Sequence, residues 1–378
     1  MQNVEEKSQS QVPTLPDHLI VEDILPRLPV KSLIRFKSVC KYWLSTTTTK
    51  DFTKRHLKFS SPQILLHSRE QNRFATLSLD ESCDNVKELV NLEYSNNGGK
   101  SFCVLGSCNG LVCLFIFNGN NLLGHFRLWN PASHCYHDIA GPNGCFLMVI
   151  GAGFGYISSI DDYRLAYILI NDEDDLINVY LFSSTTGKWE KTDSSSSIPE
   201  CIRINFPSVP TLINDTLYWP LDLNEENATN YIVGVNLLTG KLSKILLMDP
   251  HYPRIPSYYL WCYRTKIFSM KGKLLYCTRP NYRESEVWIQ KSDESGWKKL
   301  FCFKPSCISL LYLTESGKFL VISSAKQLML LTKTQMFVRQ FDQGISVSGY
   351  FDEFSKALEY KESLVSPVLT AAGIGTEL

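Results

Sequence analysis

The sequence predicts an α+β protein in two unequal parts, a small helical unit over residues 13–59 followed by an all-β domain over 60–366. Three observations lead there. Apolar residues between Leu15 and Leu57 recur at helical spacing. From Ser61 onward that spacing gives way to short runs rich in Val, Ile, Leu and aromatics, and two sets of turn pairs repeat about every fifty residues.

In the helical unit, Pro16 suits a first helical position, and Leu15, Leu19, Ile24, Leu25 and Leu28 make one apolar stripe. Pro26 and Pro29 disfavour helix in the residues before them, so the chain turns there and restarts at Lys31 and Ser32. The second helix carries Leu33, Phe36 and Val39, and Cys40, Trp43 and Leu44 continue an apolar face, so three or four short helices are expected in all. Phe52 and Leu57 predict a last short helix beyond the Thr46–Thr49 run. A unit this small buries too little apolar surface to stand without a partner or a neighbouring domain. Between Pro13 and Lys58 four acids stand against nine bases, net +5, so an acidic protein would be steered towards it. Nucleic acid fits less well, because no reader motif with interleaved aromatics accompanies the bases.

Leu15-Pro16, Leu19, Ile24-Leu25, Arg27-Leu28-Pro29, Lys31-Ser32-Leu33, Arg35-Phe36-Lys37, Val39-Cys40-Lys41 and Trp43 fall at the spacings of an F-box, which this stretch resembles. The resemblance implies docking on a Skp-type adaptor, and through it a cullin, by Leu15, Pro16, Leu19, Ile24, Leu25, Leu28, Pro29, Leu33, Phe36, Val39, Cys40 and Trp43. The same side chains are what the core of a small helical domain needs, and Phe36 and Val39 suit either role. One departure is visible, since Thr46–Thr49 stands where many relatives have an apolar pair and an acidic turn.

At 378 residues, 44% hydrophobic and 20% charged, the chain is long enough for one small and one large globular domain. Formal net charge is zero, so the +5 unit and the −1 leader over residues 1–12 leave −4 for the rest. The first twelve residues lack the apolar core of a signal peptide, and no apolar run reaches membrane-spanning length, so a cytoplasmic or nuclear protein with no membrane partner is expected. Twelve cysteines scattered over such a chain are expected as reduced thiols.

The turn pairs Asn109-Gly110, Asp161-Asp162, Asn214-Asp215, Lys271-Gly272 and Ser316-Gly317 interleave with Asn130-Pro131, Thr186-Gly187, Thr239-Gly240, Ser295-Gly296 and Thr332-Lys333. Two turns per repeat mean two hairpins, hence four strands, and that is the plan of a kelch-like β-propeller blade. About six blades are expected. Ile64–Leu79 reads as an early hairpin, and Phe337–Phe341, Ile345–Tyr350 and Ala357–Tyr360 as late strands, so first and last segments would share a blade and close the ring. Residues 367–378 read as a loose tail.

Cys108-Asn109-Gly110-Leu111-Val112-Cys113, Leu128-Trp129-Asn130-Pro131-Ala132, Gly153-Phe154-Gly155-Tyr156 with Asp162-Tyr163, Tyr360 and Glu362-Ser363-Leu364-Val365-Ser366-Pro367 resemble the F-box-associated domain of plant F-box/kelch-type proteins. That resemblance implies a substrate-recognition subunit of an SCF-type ubiquitin ligase, with the S-locus F-box group as one branch. An F-box scaffold that binds a partner without promoting its degradation is the alternative.

Nothing in the sequence assembles a catalytic site, and neither a metal nor a cofactor is expected. Gly151-Ala152-Gly153-Phe154-Gly155 precedes a turn rather than a helix, so it reads as close strand packing and not a phosphate loop. His134, Cys135, His137 and Cys145 match no zinc spacing, and Asp172-Glu173-Asp174-Asp175 lacks the alternation of a calcium loop. A protein substrate is expected on a propeller face, with Tyr252, Arg254, Tyr258 and Tyr259 as candidate contacts because Tyr and Arg dominate binding hot spots.

Overall fold

Prolines shape the N-terminal unit in the computed structural model, which describes residues 15–68, 73–79, 86–92, 101–118, 121–142, 148–170, 177–192, 209–221, 231–246, 266–281, 284–291, 296–303, 309–314, 317–322, 328–331, 356–370 and 373–374. Helix α1 (Asp17–Leu19) runs into a widened turn over Ile20–Ile24 and a tight one over Leu25–Arg27. Pro26 has no N–H to give to the carbonyl four residues back, so regular winding stops there. Helix α2 (Val30–Phe36) starts on Pro29.

Of the three or four short helices expected, four form, and the stretch from Lys31 through Leu44 is divided between two of them. The chain turns at Lys37–Val39 and restarts as α3 (Lys41–Thr47), where the Cys40 Sγ accepts the Trp43 N–H at 3.4 Å. A thiol in the place of the usual Ser or Thr cap is invisible to apolar periodicity. The threonine run has a clear task. Thr46, Thr47 and Thr48 donate to the carbonyls of Tyr42, Trp43 and Leu44 at the end of α3, and Thr49 caps α4 (Lys50–Phe59) by accepting from the Phe52 N–H.

The β-domain opens with β1 (Gln63–Ser68), β2 (Arg73–Leu79) and β3 (Val86–Leu92). The second sheet is β4 (Ser101–Cys108), β5 (Leu111–Asn118), β6 (Asn121–Asn130) and β7 (Cys135–Ala140), and the third is β8 (Met148–Ile157), β9 (Asp162–Ile170), β10 (Ile177–Ser183) and β11 (Lys188–Lys191). The fourth is β12 (Thr211–Ile213), β13 (Thr216–Leu221), β14 (Tyr231–Asn236) and β15 (Leu242–Leu246). The fifth is β16 (Lys266–Met270), β17 (Lys273–Asn281), β18 (Glu284–Gln290) and β19 (Trp297–Phe303). Then come β20 (Ser309–Leu313), β21 (Phe319–Ile322) and β22 (Leu328–Leu331). Finally β23 (Lys356–Tyr360) returns to pair antiparallel with β1, from Gln63↔Tyr360 to His67↔Lys356.

Inner strands touch in sequence round a β-propeller: β23 with β4, β4 with β8, β8 with β13 beside the innermost β12, β12 with β16, β16 with β20, and β20 with β23. First and last segments do share a blade. The blade count is corrected, because the described residues form five four-stranded blades where about six were expected. Between the fifth blade and β23, the described residues form a three-stranded sheet, β20–β22. The expected strands Phe337–Phe341 and Ile345–Tyr350 lie outside the described residues. Where a loose tail was expected, Leu369–Thr370 pairs with Gly373–Ile374 as β24 and β25.

The sequence-read turns sit at one end of the strands. Asn109-Gly110, Asn214-Asp215 and Lys271-Gly272 all take positive φ, the conformation that tight hairpins with right-handed strand twist require. Gly153 is a packing glycine: a Cβ there would lie 2.6 Å from Pro210 Cγ and 2.8 Å from Leu217 Cδ1 of the next blade. It opens no helix, and β8 runs straight through it.

Candidate functional site

Two sides of the helical unit differ. On the outward side Leu15 is 51% exposed, Leu19 38%, Ile24 42% and Val39 59%. Pro16, Pro29 and Cys40 are also exposed, whereas Leu28, Phe36 and Trp43 are half-buried and pack against the unit's own core, the Phe36 and Trp43 rings 5.6 Å apart. Tyr42 and Leu44 are exposed on α3, and Tyr42 was not foreseen as part of this surface. The bases Lys31, Arg35 and Lys41 stand exposed among them. Two of the twelve expected contact residues belong elsewhere: Leu25 and Leu33 are buried, packed with Val21, Val30 and Phe52. Their spacing put them on the stripe, but they point into the unit's own core.

The inward side is closed by the far end of the chain. Leu364 completes the core of Leu25, Leu33 and Phe52, with Ala132 packed against it. Ser60 Oγ donates to the Glu362 carbonyl at 2.8 Å, and the buried His56 contacts the Leu28 carbonyl through Nε2 at 3.0 Å. Because that partner is an acceptor, Nε2 carries the hydrogen. Burial pushes the His56 imidazole below its ordinary range, against the Leu28 hydrogen bond, which favours the charged form.

Asn130 is fully buried and satisfied on both ends of its amide. Its Nδ2 donates to the Ser363 and Val365 carbonyls at 3.0 and 2.7 Å, while Oδ1 accepts from the Ala132 and Ser133 N–H groups. Ser363 Oγ donates to the Asn109 carbonyl at 2.7 Å. Gly110, at φ +84°, leaves the room for this: a Cβ there would fall within 2.6 Å of Ser363 Cβ and 2.7 Å of the Lys361 carbonyl oxygen.

Beside it, Lys54 Nζ of α4 meets Asp161 Oδ2 at 2.8 Å, and Tyr156 OH donates to Asp161 Oδ1 at 2.6 Å. Burial alone would raise the Asp161 carboxyl, but those two hydrogen bonds outweigh it and hold the group below its usual range. Asp162 follows the same logic. Burial raises it, yet donors from Ser183, Ser184 and Thr185 keep it ionised, and Arg164 Nε lies 2.7 Å away. Between α4 and the propeller lies a cavity of ≈ 60 Å³ walled by Lys50, Lys54 and Leu57 on one side and Asn109, Tyr156 and Tyr163 on the other. At the end of β4, next to Asn109, burial lifts the Cys108 thiol to about 12, which keeps it protonated and unreactive.

No protein-family model matches the sequence. An F-box/kelch-repeat protein of Arabidopsis thaliana is 25% identical over 373 residues, spanning 92% of this chain and 94% of that protein. An F-box protein of the same plant is 36% identical over 117 residues, 29% of this chain and 28% of its own length. This chain is a homologue of the plant F-box/kelch-repeat proteins. Among solved structures, TolB from Acinetobacter baumannii aligns with a TM-score of 0.38 at 10% identity, over 74% of this chain and 66% of that one. The propeller assignment stands on the strand order and inner-strand contacts alone.

In this F-box/kelch-repeat homologue, most sequence pieces that resemble the F-box-associated domain meet at one place. Asn109-Gly110, Asn130-Pro131-Ala132, Tyr156, Asp161, Tyr163 and 362–366 all border the F-box. The sequence could have flagged 362–366, since Leu364-Val365 between serines and before Pro367 falls outside the repeat phase. The candidate substrate contacts Tyr252, Arg254, Tyr258 and Tyr259, and the runs Asp172–Asp175 and Ser194–Ser197, lie outside the described residues. Among the described residues no helix is long and apolar enough to cross a membrane, and no group of three or more His, Cys, Asp or Glu gathers as a metal site.

Proposed function

We propose that the chain is the substrate-recognition subunit of an SCF-type ubiquitin ligase, with the F-box held by a Skp-type adaptor and a client protein bound by the propeller for ubiquitination. One observation carries the reading: after the chain's own Leu364 has filled the inward side of the F-box, Leu15, Leu19, Ile24 and Val39 stay exposed on the outward side, among bases. Exposed apolar side chains rimmed by charge mark a docking surface, and the basic rim suits an acidic partner.

On this reading the protein does no chemistry itself. Tethering a client lysine near a charged thioester gives effective concentrations on the order of mM, so affinity and geometry are the requirements. The client would meet the propeller end opposite the F-box. The β15 end at Leu246 and the β16 start at Lys266, which flank the Tyr252–Tyr259 stretch, belong to that end. The work would be done in the cytoplasm or nucleus, where free thiols are the rule.

The test replaces outward residues alone. Leu19→Glu with Val39→Glu is expected to cut recovery of a purified Skp-type adaptor more than tenfold while circular dichroism and the melting curve stay unchanged. Adaptor recovery equal to that of the parent protein refutes the proposal.

A further inference from the structure

Eleven residues near the far end of the chain serve three bodies at once. Residues 356–360 form β23, which closes the ring against β1 through five residue pairs. Tyr360 and Leu358 pack between the first and second blades, with Phe74 and Trp129. Two residues on, the Glu362 carbonyl accepts from Ser60 at the end of α4. Ser363 binds the Asn109 turn and Leu364 enters the F-box core. Val365 then packs into the cluster shared by the second and third blades.

We infer that residues 356–366 are a latch that couples closure of the propeller ring to seating of the F-box, so that neither can loosen alone. The segment is anchored tightly enough to transmit. Asn130 grips the carbonyls of Ser363 and Val365 with one buried amide, and Val365 N–H is turned back to Ser363 Oγ at 3.2 Å. Only three residues separate Tyr360 in the ring from Leu364 in the F-box. A chain that short cannot slacken by more than a few ångströms, so pulling β23 out of the ring pulls the plug from the helices. The latch also fixes which way the F-box faces relative to the blades. It holds whatever docks on the outward side, and does not rest on the ligase reading.

Hydrogen exchange on the full chain tests the coupling. Leu358→Pro and Glu359→Pro each strike β23, and because alternate residues of a strand donate to its neighbour, one of the two removes a bond to β1. The affected variant is expected to speed exchange about tenfold or more not only in β1 but also in α2 and α4, with β12–β15 unchanged. Fast exchange in β1 beside unchanged exchange in α2 and α4 overturns the latch. If both proline variants lose protection throughout, the decision passes to Leu364→Ala, which coupling requires to speed exchange in β1 and β23 as well as in the F-box. An effect of Leu364→Ala confined to the F-box likewise overturns it.

Discussion

Leu33 and Leu19 lie fourteen residues apart on the same apolar pattern, yet one is sealed and the other is 38% exposed. The sealed side of the F-box is finished by Leu364 and Ala132 of the β-domain, and the other side stays exposed. Apolar periodicity says which residues avoid water. It does not say whether anything covers them, and here the chain's own β-domain supplies the cover on one side.

The sharpest contrast is energetic. Leu33→Ala is expected to cost about 2–5 kcal/mol of F-box stability, because it leaves a cavity in a closed core, while Leu19→Ala should stay within about 0.5 kcal/mol. Urea unfolding followed by helical ellipticity separates them, and equal losses would erase the distinction between the two sides. Next comes the propeller wall against which the sealed side rests. Asp162→Ala removes an ionised acceptor from buried Ser183 and Ser184 and from Arg164, and should cost about 3 kcal/mol in the melting of the β-domain.

The sealed side should also answer to acid where the open side does not. Burial holds the folded His56 below the usual 6.5, so the unfolded chain takes up a proton that the folded one refuses. Stability from this group is complete above about pH 6.5 and declines as the pH falls below it. F-box unfolding measured from pH 7.5 to 5.5 should show the decline, and His56→Gln should flatten it. The smallest effect belongs to Lys54→Ala. Its pair with Asp161 is about half exposed, so the loss should be about 0.2–1 kcal/mol and vanish in high salt.

Much of this architecture was legible in the residues. The Asn109-Gly110 turn and Gly272 are written in local chemistry, since few residues besides Gly and Asn accept positive φ, and the spacing of such turns carries the repeat. Ring closure was legible because an unpaired early hairpin needs a late strand. Three things were not. The break between α2 and α3 depends on a cysteine acting as a cap. The sixth repeat keeps its first turn, so the three-stranded sheet of its described residues reads like a full blade. The third is longest in range: Leu25, Leu33 and Leu364 share one core, and no local pattern links residues more than three hundred positions apart.

That distance has a consequence for synthesis. Ser60 and Glu362 are separated by 302 positions, so on the ribosome the helices emerge first and wait about 15–60 s, at 5–20 residues per second, before their last core residue arrives. A product that stops short of residues 356–366 therefore carries an incomplete helical core as well as an unclosed ring.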